Sequence, residues 1–194
     1  MQQPLPTLMQ MMKNTAFEIP ELAANYEKRV FVGGNYDDMP TLRKIVNCVR
    51  EVDYEPILAF NVKKVPKNRI HDFDIALIKL CKYAVFEVST GNGHMMEIEA
   101  AVKSFGTVTF GIYKVRGPNY RKLPPTVTTM LTTLGVPMFA YHDYDRVIEI
   151  LQMIFPMIKD DPKSAWRNII EKSQFDPFFK SWFRNAIDYV WQFV

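Results

Sequence analysis

The chain predicts an open α/β domain, a five-stranded parallel sheet with helices on both faces. Three observations carry this. Short apolar runs that read as buried strands are separated by segments of helical period, and the first and third runs end in glycine-bearing turns. Strictly alternating strand and helix is the pattern of a parallel sheet covered on both sides.

Composition sets the frame. The 194 residues are 48% apolar and 13% aromatic, and 24 basic against 21 acidic side chains leave a net charge of +3. That excludes a disordered acidic or basic tail, a collagen-like repeat and a low-complexity scaffold. A pI near 8.8 rests on only three charges, so no nucleic-acid partner is expected. Cys48 and Cys81 lie in apolar helical stretches outside any CxxC pair and are expected to be buried thiols. The start MQQPLPTLMQMMKN has neither the basic opening nor the apolar run of a secretory signal. The one long stretch free of Asp, Glu, Lys and Arg, 123–142, holds three prolines, a glycine and five threonines, which suits a membrane helix poorly. A soluble cytoplasmic protein is the expectation.

Residues 1–28 read as an N-terminal arm with a short helix around EIPELAANY. RVFVGG is the first strand, entering a tight turn. In DDMPTLRKIVNCVREV, Asp37 or Asp38 can cap, Pro40 fits the first turn, and Leu42, Ile45, Val46, Val49 and Val52 recur at helical spacing. YEPILAF is the second strand, followed by the basic loop NVKKVPKNR and the helix HDFDIALIKLCK. YAVFEVS is the third strand; the turn TGNG leads to the helix HMMEIEAAVKSF. TVTFGIYKV is the fourth strand, a short helix lies near TVTTMLTTL, and PMFAYH is the fifth, before the helix DRVIEILQMIF. The most economical arrangement is the flavodoxin-like strand order 2-1-3-4-5 over residues 29–158.

Residues 159–194 form a C-terminal helical extension. Asp161-Pro162 and Asp176-Pro177 are helix starts, and the last helix, PFFKSWFRNAIDYVWQFV, is apolar around most of its circumference. Such a helix is buried, either across the domain or in a subunit interface, and a homo-oligomer is the favoured expectation.

In an open parallel sheet, ligands bind beyond the carboxyl ends of the strands. The loops that fall there are GGNYDD, NVKKVPKNR, STGNGH and KVRGPNYRK. Gly33, Gly34, Gly91 and Gly93 would let a ligand approach the main chain, and Asn35, Ser89, Thr90 and Asn92 offer hydrogen bonds. Lys63, Lys64 and Arg69 could neutralise a phosphate. Neither GxGxxG nor GxxxxGK[ST] is present, and no cofactor is expected. His94 and Glu97 have H-x-x-E spacing but no further histidine cluster, so no metal is expected either. Glu97 falls in the first turns of its helix, where free amides favour an ionised carboxylate. Such a group suits attack on, or stabilisation of, an electron-deficient anomeric carbon.

The run from Asp74 to Ala101, with EVSTGNGHMMEIEAA at its centre, resembles the core of the nucleoside 2-deoxyribosyltransferases and the related deoxynucleoside-monophosphate N-glycosidases. The resemblance covers about half the chain. It implies that Glu97 is the catalytic glutamate, with Ile98 at the aliphatic position and Ala101 at the small one, and that Asp74 is the acid on the sugar side of the substrate. VFVGGN resembles the family's opening strand, with Phe31 where a tyrosine is usual. Lys82 replaces a common aspartate, Glu99 replaces a usual glycine, and the turn is about one residue shorter. The same sheet is also similar to TIR-like NAD hydrolases.

What both resemblances imply is a nucleotide pocket and N-glycosidic chemistry, by hydrolysis or transfer. Glu97 would act as nucleophile or as electrostatic partner of an oxocarbenium-like sugar. Asp74 would position sugar hydroxyls or assist proton transfer to the base. Phe31, Gly33, Gly34, Asn35, Ser89, Gly91, Asn92 and Gly93 would form the substrate pocket. The competing class is a nucleotide-sensing module that keeps Glu97 only for packing or for a ribose hydrogen bond.

Overall fold

The computed structural model describes residues 26–59, 70–90, 94–103, 107–115 and 123–160. It contains a five-stranded, all-parallel sheet in the order β2-β1-β3-β4-β5, the predicted one. The strands are β1 (Arg29–Gly33), β2 (Glu55–Ile57), β3 (Tyr83–Glu87), β4 (Val108–Lys114) and β5 (Met138–Tyr141). The helices are α1 (Met39–Glu51), α2 (Ile70–Ile78), α3 (Met95–Lys103), α4 (Pro125–Thr133) and α5 (Tyr144–Asp160). The arm at 1–25 and the extension from residue 161, with its aromatic helix, lie outside the described residues. Among the described residues no helix is long and apolar enough to cross a membrane; the uncharged stretch expected to be a poor span carries α4 and β5.

Alternation along the strands divides the core. Val30, Val32, Tyr83, Val85, Phe110 and Ile112 face α1 and α5; Phe31, Ala84, Phe86 and Val88 face the layer of α2, α3 and α4. Both faces are apolar because both are covered. α1 shows how the sequence specifies its part. Asp38 caps it, its carboxylate accepting the Thr41 amide at 3.3 Å, Pro40 sits in the first turn, and Leu42, Ile45, Val46 and Val49 make the buried stripe. At the amino end of the sheet Tyr54, Tyr83 and Phe155 pack with ring centroids 4.2–5.6 Å apart, and the Tyr83 hydroxyl donates to the Phe155 carbonyl.

Every strand is shorter than its expected run, β2 by four residues and the others by one or two. β2 ends at Ile57 because it is an edge strand with only three residues paired to β1, and Pro56 is tolerated on such an edge. β3 ends at Glu87, although the Val88 amide still reaches the Ile112 carbonyl at 2.9 Å. Cys48 and Cys81 are buried free thiols, and burial pushes Cys48 up to about 11.

Candidate functional site

β1 and β3 lie side by side in the middle of the sheet, and their carboxyl ends open on the α2/α3 face. Gly33 pairs with Phe86 across the two strands, and a side chain at Gly33 would put its first carbon 2.5 Å from the Phe86 ring. Gly34, with φ of 155°, would bring a side chain within 3.1 Å of the Glu87 carbonyl and 2.8 Å of Leu42. The glycine pair is therefore required by close approach on both sides of the chain.

Beyond it the Asn35 side chain accepts the Asp37 amide at 3.0 Å and caps a 3-10 turn, Tyr36–Asp38, that leads straight into α1. This turn swings the Tyr36 ring back over the sheet. Its hydroxyl donates to both carboxylate oxygens of Asp74 on α2, at 3.1 Å each. Burial first, then the neighbouring Asp74 and Glu97 charges, push the Tyr36 hydroxyl far above its ordinary range, so it stays protonated and acts as a donor.

The result is a cavity of about 130 Å³ lined by Phe31, Gly33, Gly34, Asn35, Tyr36, Asp37, Asp74, Phe86, His94 and Glu97. Pockets for whole drug-sized ligands run to roughly 300 Å³ and more. The lining given by the described residues therefore suits one part of a ligand, on the scale of a single sugar ring. Phe31 and Phe86, centroids 5.7 Å apart, make an apolar floor. Asp74 is 1% exposed and Glu97 7%, yet both border the cavity; one comes from the middle of α2 and the other from the first turn of α3.

Two catalytic candidates from separate helices are thus brought together, with Phe31, Gly33, Gly34 and Asn35 around them. Ser89 is not. Its hydroxyl donates to Glu87 and accepts the Lys114 amide at 2.7 Å, so it belongs to a hydrogen-bonded group at the sheet edge instead of the cavity wall. The physical reason is competition: Glu87, also buried, needs donors, and Ser89 supplies both its hydroxyl and its amide while Tyr141 supplies a third. Burial pushes the Glu87 carboxyl up, and those three donors pull it part of the way back.

Gly91, Asn92, Gly93, Lys63, Lys64 and Arg69 lie outside the described residues. Among the described residues no three His, Cys, Asp or Glu side chains form a group able to hold a metal ion.

Sequence reasoning passed over Tyr36 and Phe86, treated Asp37 only as a cap, and weighed His94 only for an H-x-x-E metal pair that it set aside. The available signal for Tyr36 was its place in the loop at the carboxyl end of the first strand, two residues beyond the glycine pair.

No protein-family model matches the chain, and no curated protein matches it in sequence. Among solved structures it is similar to the CMP N-glycosidase BcmB of Clostridium botulinum, with 17% identity over 65% of this chain and 98% of that one and a TM-score of 0.47.

Proposed function

We propose that this cavity binds the sugar of a nucleoside, deoxynucleoside or their phosphates and that the protein cleaves the N-glycosidic bond. The observation that carries the reading is the convergence of two buried carboxyl groups, Asp74 and Glu97, on one small cavity at the carboxyl ends of adjacent parallel strands.

With Glu97 as nucleophile, its oxygen bonds to the anomeric carbon as the bond from that carbon to the base nitrogen breaks. The base leaves with the electron pair and takes up a proton. Water, or an N–H nitrogen of a second base, then attacks the anomeric carbon as its bond to the Glu97 oxygen breaks, and loses a proton to solvent, which restores the carboxylate and balances the proton taken up by the departing base. With Glu97 as an ionic partner, the same carboxylate stabilises the positive charge on the sugar without a covalent bond. Asp74 holds a sugar hydroxyl, and the glycine pair admits the ring to the main chain. Lys63, Lys64 and Arg69 neutralise a 5′-phosphate, so their replacement by alanine raises KM for a nucleotide more than for the corresponding nucleoside.

A second reading, a module that senses a nucleotide without cleaving it, is favoured by one observation. Phe31 is fully buried on the cavity floor and offers Glu97 no hydroxyl. One experiment separates the readings: incubation with nucleosides, deoxynucleotides, ribonucleotides and NAD, followed by chromatography for free base. Release that disappears in Glu97→Gln supports the enzyme, and release from NAD alone supports a NAD hydrolase. A ligand-induced rise in melting temperature without release supports the sensor.

A further inference from the structure

We propose that Tyr36 is a positioning residue that holds Asp74 as a hydrogen-bond acceptor, so that Asp74 receives a sugar hydroxyl and does not protonate the departing base. The starting point is the contact itself. A phenol has one proton, and the Tyr36 oxygen is equidistant from both Asp74 oxygens at 3.1 Å. That is the arrangement of a donor shared by a delocalised carboxylate. Tyr36 keeps its own proton, and the bond a phenol donates to a carboxyl group strengthens when that group is ionised, so the contact biases Asp74 toward the acceptor form.

The donor itself is held from two sides. The turn that carries Tyr36 is capped by Asn35 before it and continues into α1 through the Asp38 cap, and the ring packs against the apolar clusters on both faces of the sheet. The charged and titratable groups that share the cavity lining with Asp74 among the described residues are Tyr36 and Asp37 from the turn and His94 and Glu97 at the start of α3, while Asp72 on its own helix is exposed and outside the lining. β1 and β3 face it with Phe31 and Phe86. Tyr36 is thus the hydroxyl donor that the cavity wall places against a carboxylate flanked by other acids. Removing it selectively disfavours the ionised form of Asp74.

The proposal rests on the N-glycosidase reading only where turnover is the readout. Tyr36→Phe removes the one oxygen. In the full chain labelled with ¹³C at aspartate carboxyl carbons, with Asp74 assigned by Asp74→Asn, the Asp74 titration midpoint should rise by roughly one pH unit in Tyr36→Phe. kcat/KM for base release should fall about tenfold, and the acid limb of its pH profile should move up with the midpoint. A merely structural tyrosine would lower activity without moving either midpoint.

An unchanged NMR midpoint overturns the proposal. Should the protein release no base from any substrate, the N-glycosidase reading falls and the NMR midpoint alone decides the role of Tyr36. Should Tyr36→Phe not fold, the unmutated chain labelled at tyrosine Cζ decides: a Tyr36 resonance that follows the Asp74 titration supports the contact, and one indifferent to it overturns it.

Discussion

Two groups of buried acids sit at the carboxyl edge of one sheet, on opposite faces, and they are built to different ends. On the α1/α5 face Glu87 is enclosed by the Ser89 hydroxyl and amide and by the Tyr141 hydroxyl, with the Lys114 amide bonded in turn to Ser89. On the other face Asp74 and Glu97 border a cavity, with Tyr36 as a hydroxyl donor between two elements. Burial is similar, at 5% exposure for Glu87 and 7% for Glu97. What differs is that Asp74 and Glu97 border space that a ligand can fill, whereas Glu87 is enclosed by three donors of its own face. Burial alone therefore does not mark a candidate site, whereas burial together with an adjoining cavity does.

Substitutions can test that contrast, beginning with the largest expected effect. Glu97→Gln should lower kcat for base release by about a thousandfold while leaving the melting temperature close to that of the parent, because an amide fills the same volume. A loss of stability of the same rank as the loss of activity would put Glu97 on the structural side of the comparison. Gly33→Ala should destabilise the fold by about 1–3 kcal/mol in denaturant unfolding, since the added methyl meets the Phe86 ring. It should weaken ligand binding as well, the ring being part of the cavity floor.

Ser89→Ala should cost about 1–2 kcal/mol in the same measurement, because Glu87 loses a donor and the Lys114 amide its acceptor. Base release should stay within about twofold of the parent, if the division between the faces holds. The smallest and most specific effect concerns pH. The native Glu87 carboxyl sits above its ordinary value, so between that value and its raised native value the folded state binds more protons than the unfolded one. Glu87 thus contributes stability that grows as pH falls through its native value and shrinks as pH rises through it. Glu87→Gln should remove this component from the stability-versus-pH curve, measured by urea unfolding from neutral pH to about 4.5.

Much of the frame is legible in the sequence because it follows from local pattern. The Val30–Val32 and Tyr83–Phe86 runs read as buried strands without knowledge of their neighbours, and the cap, proline and apolar stripe fix α1 within a residue or two. The meeting of Asp74 and Glu97 at one cavity is legible through the resemblance, although only Glu97 lies in the first turn of its helix and Asp74 sits in the middle of α2. What local pattern does not reveal is the direction of a side chain in an irregular turn. Tyr36 follows Asn35 in a 3-10 turn whose capping bond decides where the ring goes, and no periodicity governs that position. Ser89 differs for a related reason: β3 ends at Glu87, and beyond it the demand of a buried carboxyl group for donors, not strand alternation, sets where the hydroxyl points.

The glycine pair also has a meaning for redesign. Gly34 is a one-residue partition, with the cavity on one side and Leu42 and Glu87 crowding the other. A larger ligand cannot be accommodated by carving into that wall, which already has no side chain to remove. Volume can be gained at the opposite boundary, where Phe31 and Phe86 are bulky and make no hydrogen bonds through their rings. Trimming Phe86 to leucine would enlarge the cavity at its apolar floor, at the stability cost of truncating a fully buried core side chain, which makes that floor the place to begin altering which ligands the cavity accepts.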